Sequence, residues 1–279
     1  MRPLWQIRAM SQPPATPLLP SHYDTAPFER ATALLDDPAR LRAQAERLGY
    51  LYLPELLPLA TVAAVRAFVR DHAVESGWVL PAADNPPALQ ARPGAHMSGR
   101  GWDDVDWIEL QRAVNVDEAF ANLANNERLL AVLAMVAGEP MAPATSNHCW
   151  LKLPGSPEHT TRPHQDTFYL PDCPRMWTAW VPLAETPMEV GPLGVIRGSH
   201  NERWQHIDPW TGIDVPRTAR WDTEAAGPGA VLLFNAATVH CAWSNMSADL
   251  ARLSLDVRYE PASLAPVSIL RPGAEPNVG

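Results

Sequence analysis

Four stretches of this chain carry histidine, alone or with aspartate, in patterns that could bind a metal. The segment Arg162-Pro163-His164-Gln165-Asp166 contains a His-x-Asp tripeptide. On a strand, residues i and i+2 point to the same face, so the imidazole and the carboxylate would converge. Two ligands this close need one more from elsewhere to complete a 2-His-1-carboxylate facial triad. Such a triad leaves metal positions open and suits non-haem iron(II). His240, in the apolar run Thr238-Val239-His240-Cys241-Ala242-Trp243, is the candidate third ligand. A lone histidine on an apolar strand is more often a hydrogen-bonded core residue, so its surroundings must decide. The tripeptide alone decides little, because His22-Tyr23-Asp24 and His206-Ile207-Asp208 share its form. The first falls in an N-terminal stretch read as a tail and the second precedes a Pro-Trp turn, so both read as surface polar residues.

Twelve residues after His240, Arg252-Leu253-Ser254 opens a strand that continues to Tyr259. Alternation puts Arg252, Ser254, Asp256 and Arg258 on one face and Leu253, Leu255 and Val257 on the other. One reading is a half-exposed strand with a polar outer face. The other turns Arg252 and Ser254 into a barrel, where a guanidinium can hold a carboxylate bidentately and a hydroxyl can add a hydrogen bond. Burying an arginine without an anion is costly, so the second reading demands an acidic ligand.

The elements that would position these groups fall into two halves. In the first, Asp37-Pro38 reads as an N-cap with Pro at the first helical position, and Gly49 stops that helix. Tyr50-Leu51-Tyr52-Leu53 is a short apolar strand, and Leu59 to Glu75 forms an amphipathic helix. Further helices run over about Val116–Leu123 and Glu127–Val136, after a polar, tryptophan-bearing stretch from Pro81 to Trp107. Beyond Pro140, short apolar segments alternate with Pro/Gly turns: 146–153, 165–170, 177–183, 193–196, 230–234, 239–243 and 250–259. Many short strands with frequent turns indicate a sandwich or barrel rather than βαβ units. The expected fold is α+β and mainly β, a double-stranded β-helix (jelly roll, cupin-like) with flanking N-terminal helices. Residues 21–265 form one catalytic domain, between a flexible tail at 1–20 and a C-terminal tail at 266–279. No internal repeat, GxGxxG or P-loop pattern is present, which argues against a nucleotide enzyme.

The bulk numbers exclude other classes. A net charge of −9 makes nucleic acid an unlikely partner by charge alone. Cys149, Cys173 and Cys241 are odd in number and form no CxxC pair, so neither a disulfide framework nor a zinc knuckle is indicated, and a reducing, cytoplasmic setting fits. No apolar run approaches the roughly 20 residues needed to cross a bilayer, and Met1 to Pro20 lacks the apolar core of a signal peptide. The expected partner is a small-molecule substrate, without nucleic acid or membrane; oligomeric state is left open.

Taken in order, His164-x-Asp166, His240 and Arg252-x-Ser254 resemble the iron(II)/2-oxoglutarate dioxygenases, specifically the phytanoyl-CoA dioxygenase-like family. Lys152 in Trp150-Leu151-Lys152-Leu153-Pro154-Gly155 resembles that family's lysine on the strand before the tripeptide. Trp177 to Leu183 resembles its following strand, Gly191-Pro192-Leu193 with Gly198-Ser199-His200 its "NGxL…PGSH" segment, and Tyr50 to Leu53 its N-terminal strand. The chain departs from the pattern at Val190, where Asn is usual, and at Arg197, where Pro is usual. The resemblance, over roughly Leu34 to Tyr259, implies that Fe(II), 2-oxoglutarate and O2 are used to hydroxylate a small organic molecule, with succinate and CO2 released. It implies His164, Asp166 and His240 as metal ligands and catalytic centre. It also implies a co-substrate site of Arg252, Ser254, Lys152, Thr178 and Trp180, with Arg258 an alternative to Arg252. His148, Trp150, Arg100 and Trp102 are candidate substrate contacts, the last two in the glycine-rich segment Arg92 to Trp102. Asp166 favours hydroxylation over halogenation, since halogenating relatives lack the carboxylate. Desaturation, epimerisation or cyclisation by the same chemistry stay open, as does a catalytically silent binding protein. A zinc hydrolase fits less well, because no general-base glutamate lies near His164.

Overall fold

A computed structural model describes residues 16–82, 86–97, 104–145, 147–208 and 211–264. Six helices are described: α1 (Pro38–Leu48), α2 (Leu59–Glu75), α3 (Val105–Val116), α4 (Glu118–Ala124), α5 (Glu127–Ala137) and the single turn α6 (Asp166–Tyr169). The strands are β1 (Asp24–Ala26), β2 (Tyr50–Leu53), β3 (Leu89–Gln90), β4 (Met141–Pro143), β5 (His148–Lys152), β6 (Trp177–Pro182) and β7 (Leu193–Val195). They continue with β8 (His206–Asp208), β9 (Gly212–Ile213), β10 (Arg220–Asp222), β11 (Val231–Asn235), β12 (His240–Ala242) and β13 (Leu250–Pro261).

The larger sheet runs β2-β11-β6-β13, with β3, β5 and β4 pairing in turn along the free side of β13. The smaller runs β1-β10-β7-β12. Strands from both ends of the chain pair in each sheet, which is the jelly-roll arrangement the turn-rich pattern implied. Leu253, Leu255, Val257 and Tyr259 of β13 join the helix-side core with Val65, Phe120 and Leu133. The alternate residues Arg252, Ser254 and Arg258 are also buried, but between the sheets. A one-residue slip of β13 would send three aliphatic side chains to the polar interior, at about 1.5–3 kcal/mol each, and bury two guanidinium groups against helices. The register is therefore tightly fixed, and it is what aims Arg252 inward.

Local chemistry explains the helix ends. Asp37 accepts from the Arg40 N–H, and Gly49 closes α1 at φ 77. Gly49 also lies so close to His200 and Thr238 that an added Cβ would sit 2.5 and 2.6 Å from their side chains. Gln111 of α3 brackets the Cys149 peptide on the outer edge of β5, donating to its C=O at 2.7 Å and accepting its N–H at 2.8 Å. One amide side chain thus pairs an exposed strand edge.

Three expectations are corrected. Residues 165–170 are not a strand, because the chain turns into α6 at Asp166. Helix α3 lies where only the end of a polar stretch was read. Leu18, inside the stretch read as a tail, is buried and exchanges hydrogen bonds with Ser244, its N–H donating to the Ser244 Oγ at 2.9 Å. The tail read at 266–279 lies outside the described residues.

Candidate metal centre

His164 and His240 face each other across an isolated antiparallel bridge, each backbone N–H donating to the other's carbonyl at 3.0 Å. Their rings are 4.1 Å apart. Nδ1 of His164 lies 2.7 Å from the Arg162 carbonyl, and Nδ1 of His240 lies 3.0 Å from the Thr238 carbonyl. Those carbonyls accept the Nδ1 protons, which leaves both Nε2 lone pairs free to bind a metal. The chain then enters α6, whose first residue brings the Asp166 carboxylate beside them. One potential ligand atom from each of His164, Asp166 and His240 lies within 4.8 Å of the others. The tripeptide thus converges through a bridge followed by a helical turn, not along one strand.

Electrostatics prepares this donor set for a cation. Burial alone would raise the Asp166 carboxyl, but the Arg258 guanidinium facing it, with His164 and His240 beside it, outweighs burial and holds the group well below the usual carboxylate range. Burial, then the nearby His164, pushes His240 down to about 3, so its imidazole is neutral near pH 7. Asp166 accepts a hydrogen bond from Thr178 Oγ1 at 2.7 Å and meets Arg258 Nη2 at 3.4 Å. Two imidazoles, that of His240 neutral, and one ionised carboxylate are the donors that a divalent iron ion takes.

The expected co-substrate residues divide. Arg252 is 1% exposed; its Nη1 donates to the Gly191 carbonyl at 3.0 Å while its Nε has no partner. Ser254 is fully buried and its Oγ is also unpaired. Lys152 lies opposite Arg252 on β5 and donates to Thr161 Oγ1 at 2.6 Å. Burial, and then repulsion from Arg252, holds Lys152 well below its ordinary value, and burial pushes Arg252 down to about 10. Two crowded basic side chains and two orphaned donors together fit a carboxylate. Thr178 instead lies against Asp166. Trp180 is fully buried between the sheets.

His148 and Trp150 share the interior face of β5 with Lys152, their rings 5.5 Å apart. Burial, then the Arg258 charge, pushes His148 down to about 3. Arg100 and Trp102 lie outside the described residues. His206, read as a surface residue, accepts from the Gln165 N–H at 3.1 Å and stacks on Phe168 at 4.1 Å. Phe168, beside Asp166 in α6, is 41% exposed, and Ile207 is 59% exposed. Tyr169 sets its ring edge-on to His164 at 5.4 Å. Sequence reasoning missed this aromatic rim, though Phe168 and Tyr169 immediately follow the tripeptide. Arg197 clamps the fully buried Asp222 with two hydrogen bonds of 2.8 Å, tying the loop after β7 to β10.

Residues 45–253 match the sequence profile of the family described as Phytanoyl-CoA dioxygenase (PhyH). A 1-deoxypentalenic acid 11-beta-hydroxylase of Streptomyces arenae is 30% identical over 258 residues, covering 85% of this chain and 86% of the relative. Among solved structures, the epimerase SnoN in complex with Fe3+, alpha ketoglutarate and nogalamycin RO shares the fold at TM-score 0.58 and 24% identity, over 82% of this chain and 84% of that one. The alpha ketoglutarate dependent carbocyclase SnoK does so at TM-score 0.55 and 21% identity, over 90% and 91%. With more than half its length matched, the chain belongs to the phytanoyl-CoA dioxygenase family and is an iron(II)- and 2-oxoglutarate-dependent dioxygenase.

Proposed function

We propose that this enzyme hydroxylates a largely apolar, ring-bearing small molecule. His164, Asp166 and His240 hold the iron(II), and Arg252 with Ser254 holds the distal carboxylate of 2-oxoglutarate. The observation that carries the reading is the pairing of two features in one interior: a compact His/Asp/His donor set, and an arginine whose Nε is buried and unpaired. When bound, iron and 2-oxoglutarate together activate O2 for C–H oxidation, with succinate and CO2 as co-products.

The chain's own residues orient and shield that chemistry. Carbonyls of Arg162 and Thr238 fix the two imidazoles, and Thr178 and Arg258 fix the Asp166 carboxylate. Trp150 and Trp180 form apolar walls that limit water in the cavity. The exposed Phe168 and Ile207, with His206 stacked on Phe168, offer a rim to flat or fused-ring carbon skeletons. The Streptomyces arenae relative is named for hydroxylating an acid, 1-deoxypentalenic acid, which supports a small organic substrate. Free Cys149, Cys173 and Cys241 support a reducing, cytoplasmic setting, and among the described residues no helix is long and apolar enough to cross a membrane.

The test is anaerobic addition of iron(II) and 2-oxoglutarate, followed by air and a panel of terpenoid and polyketide substrates. The expected outcome is a weak visible charge-transfer band, then substrate-dependent succinate with one oxygen atom gained by the product. His164→Ala and Asp166→Ala should fold, bind no iron and release no succinate; full activity in both would refute the ligand assignment.

A further inference from the structure

On the interior face of β13, Arg252 Nε, Ser254 Oγ and Asp256 Oδ1 are buried without a hydrogen-bond partner among the described residues. They come from alternate residues of one strand, so they share one face of β13. The distal carboxylate of 2-oxoglutarate accounts for the first two. Asp256 has so far been given no role, although it is the acidic member of the row.

Its surroundings are specific. Oδ2 accepts the Trp150 indole N–H at 2.5 Å, which fixes the carboxyl plane and leaves Oδ1 as the free atom. The residue keeps partial exposure, yet Oδ1 itself is enclosed. Across the sheet, Asp256 stands opposite His148 on β5 and Trp180 on β6. The charged groups facing it are Arg258 and Arg252 of its own strand and Asp166 of α6; Lys152 of β5 also feels its charge. Burial raises the carboxyl, as does Asp166, while Arg258, the Trp150 hydrogen bond and Arg252 lower it, and the balance is upward. Nearby His148 is neutral and adds no compensating charge.

A dianionic co-substrate in this cavity changes the balance further. It satisfies Arg252 and brings negative charge beside Asp256, and like charges in a low-dielectric interior disfavour the ionised form of the weaker acid. An ionised Oδ1 would also be an acceptor facing acceptors. A protonated Oδ1 would be a donor, which is what a carboxylate ligand requires.

We propose that Asp256 is a co-substrate-binding residue, which holds 2-oxoglutarate as a protonated carboxyl donating from Oδ1 to a carboxylate oxygen of the ligand. Trp150 positions it by donating to Oδ2. The proton comes from solvent, so no other group changes charge. The inference rests on the reading that 2-oxoglutarate lies against Arg252 and Ser254.

Infrared difference spectroscopy of the anaerobic iron(II)·2-oxoglutarate complex tests it. The complex should show a carboxylic-acid C=O stretch that shifts in deuterium oxide and with 13C-labelled aspartate, and that disappears in Asp256→Asn. The label identifies the band in the wild-type enzyme even if the variant folds poorly. Asparagine keeps an acceptor for Trp150 and an N–H donor for the ligand, so Asp256→Asn should bind 2-oxoglutarate within about threefold of wild type, whereas Asp256→Leu should lose about tenfold or more. Ionised aspartate in the complex, or a tenfold loss in Asp256→Asn matching that in Asp256→Leu, would overturn the proposal. If the wild-type enzyme gives no charge-transfer band at all, the co-substrate reading itself falls and this inference with it. A band without the labelled C=O stretch refutes only the role of Asp256.

Discussion

Thr178→Val isolates what a single hydroxyl contributes to the metal site. Thr178 is 1% exposed and its Oγ1 donates to Asp166 Oδ2 at 2.7 Å. Valine fills nearly the same volume, so the change removes one hydrogen bond to an ionised carboxylate and little packing. Such a bond contributes about 1.5–3 kcal/mol, which at about 1.4 kcal/mol per factor of ten corresponds to roughly 10- to 150-fold. The bond is present with and without metal, however, so much of its energy cancels in binding. What iron affinity reports is the orientation of Asp166, for which outer-shell partners typically count for about 10–100-fold. Arg258 still meets the other carboxylate oxygen, which keeps the expectation at the lower end, about 10–30-fold. The energy that cancels should appear instead as about 1 kcal/mol lost from the metal-free protein. Competition with a chelator measures iron affinity, and denaturant unfolding measures the second quantity. Thr178→Ser, which keeps the hydroxyl, should restore iron affinity to within about threefold. If iron affinity is unchanged while the KM for 2-oxoglutarate rises, Thr178 touches the co-substrate, as the family resemblance suggested, and the reasoning from the Asp166 hydrogen bond is refuted.

Arg252→Met should weaken 2-oxoglutarate binding by about 100-fold or more while iron affinity stays within about threefold, because the charge-assisted anion contact is lost while the His/Asp/His cluster is left intact; titration of the charge-transfer band measures both, and the same loss in Arg258→Met but not in Arg252→Met would move the anion site. His148 adds a pH dependence to the metal-free protein. Its folded pKa of about 3 lies below the ordinary 6.5, so the unfolded chain takes up the proton first. Its contribution is fully present above pH 6.5 and is lost as pH falls toward 3. His148→Gln should therefore flatten the acid limb of an unfolding-free-energy profile over that window, and an unaltered limb would show that His148 protonates freely in the folded state.

What the sequence made legible was period, and what it hid was polar burial. The alternation in Arg252-Leu253-Ser254-Leu255-Asp256-Val257-Arg258 named the two faces of β13, yet could not say which faced inward, since a polar outer face gives the same pattern. Helix α3 was missed for the converse reason. Its buried positions include Asn115 beside Trp107, Leu110 and Val114, and Gln111 is engaged on the edge of β5, so polar residues interrupt the apolar stripe. The His-x-Asp ligands show that a correct neighbour can follow from an incorrect element. Same-face convergence was argued from strand geometry, but after the extended Gln165, at φ −113 and ψ 135, Asp166 begins a helical turn. That turn is what carries Phe168 and Tyr169 to the rim beside the metal ligands. A continuous strand would have sent alternate residues away from this cluster, so the break that sequence periodicity missed is what sets Tyr169 against His164 and leaves Phe168 exposed close to Asp166.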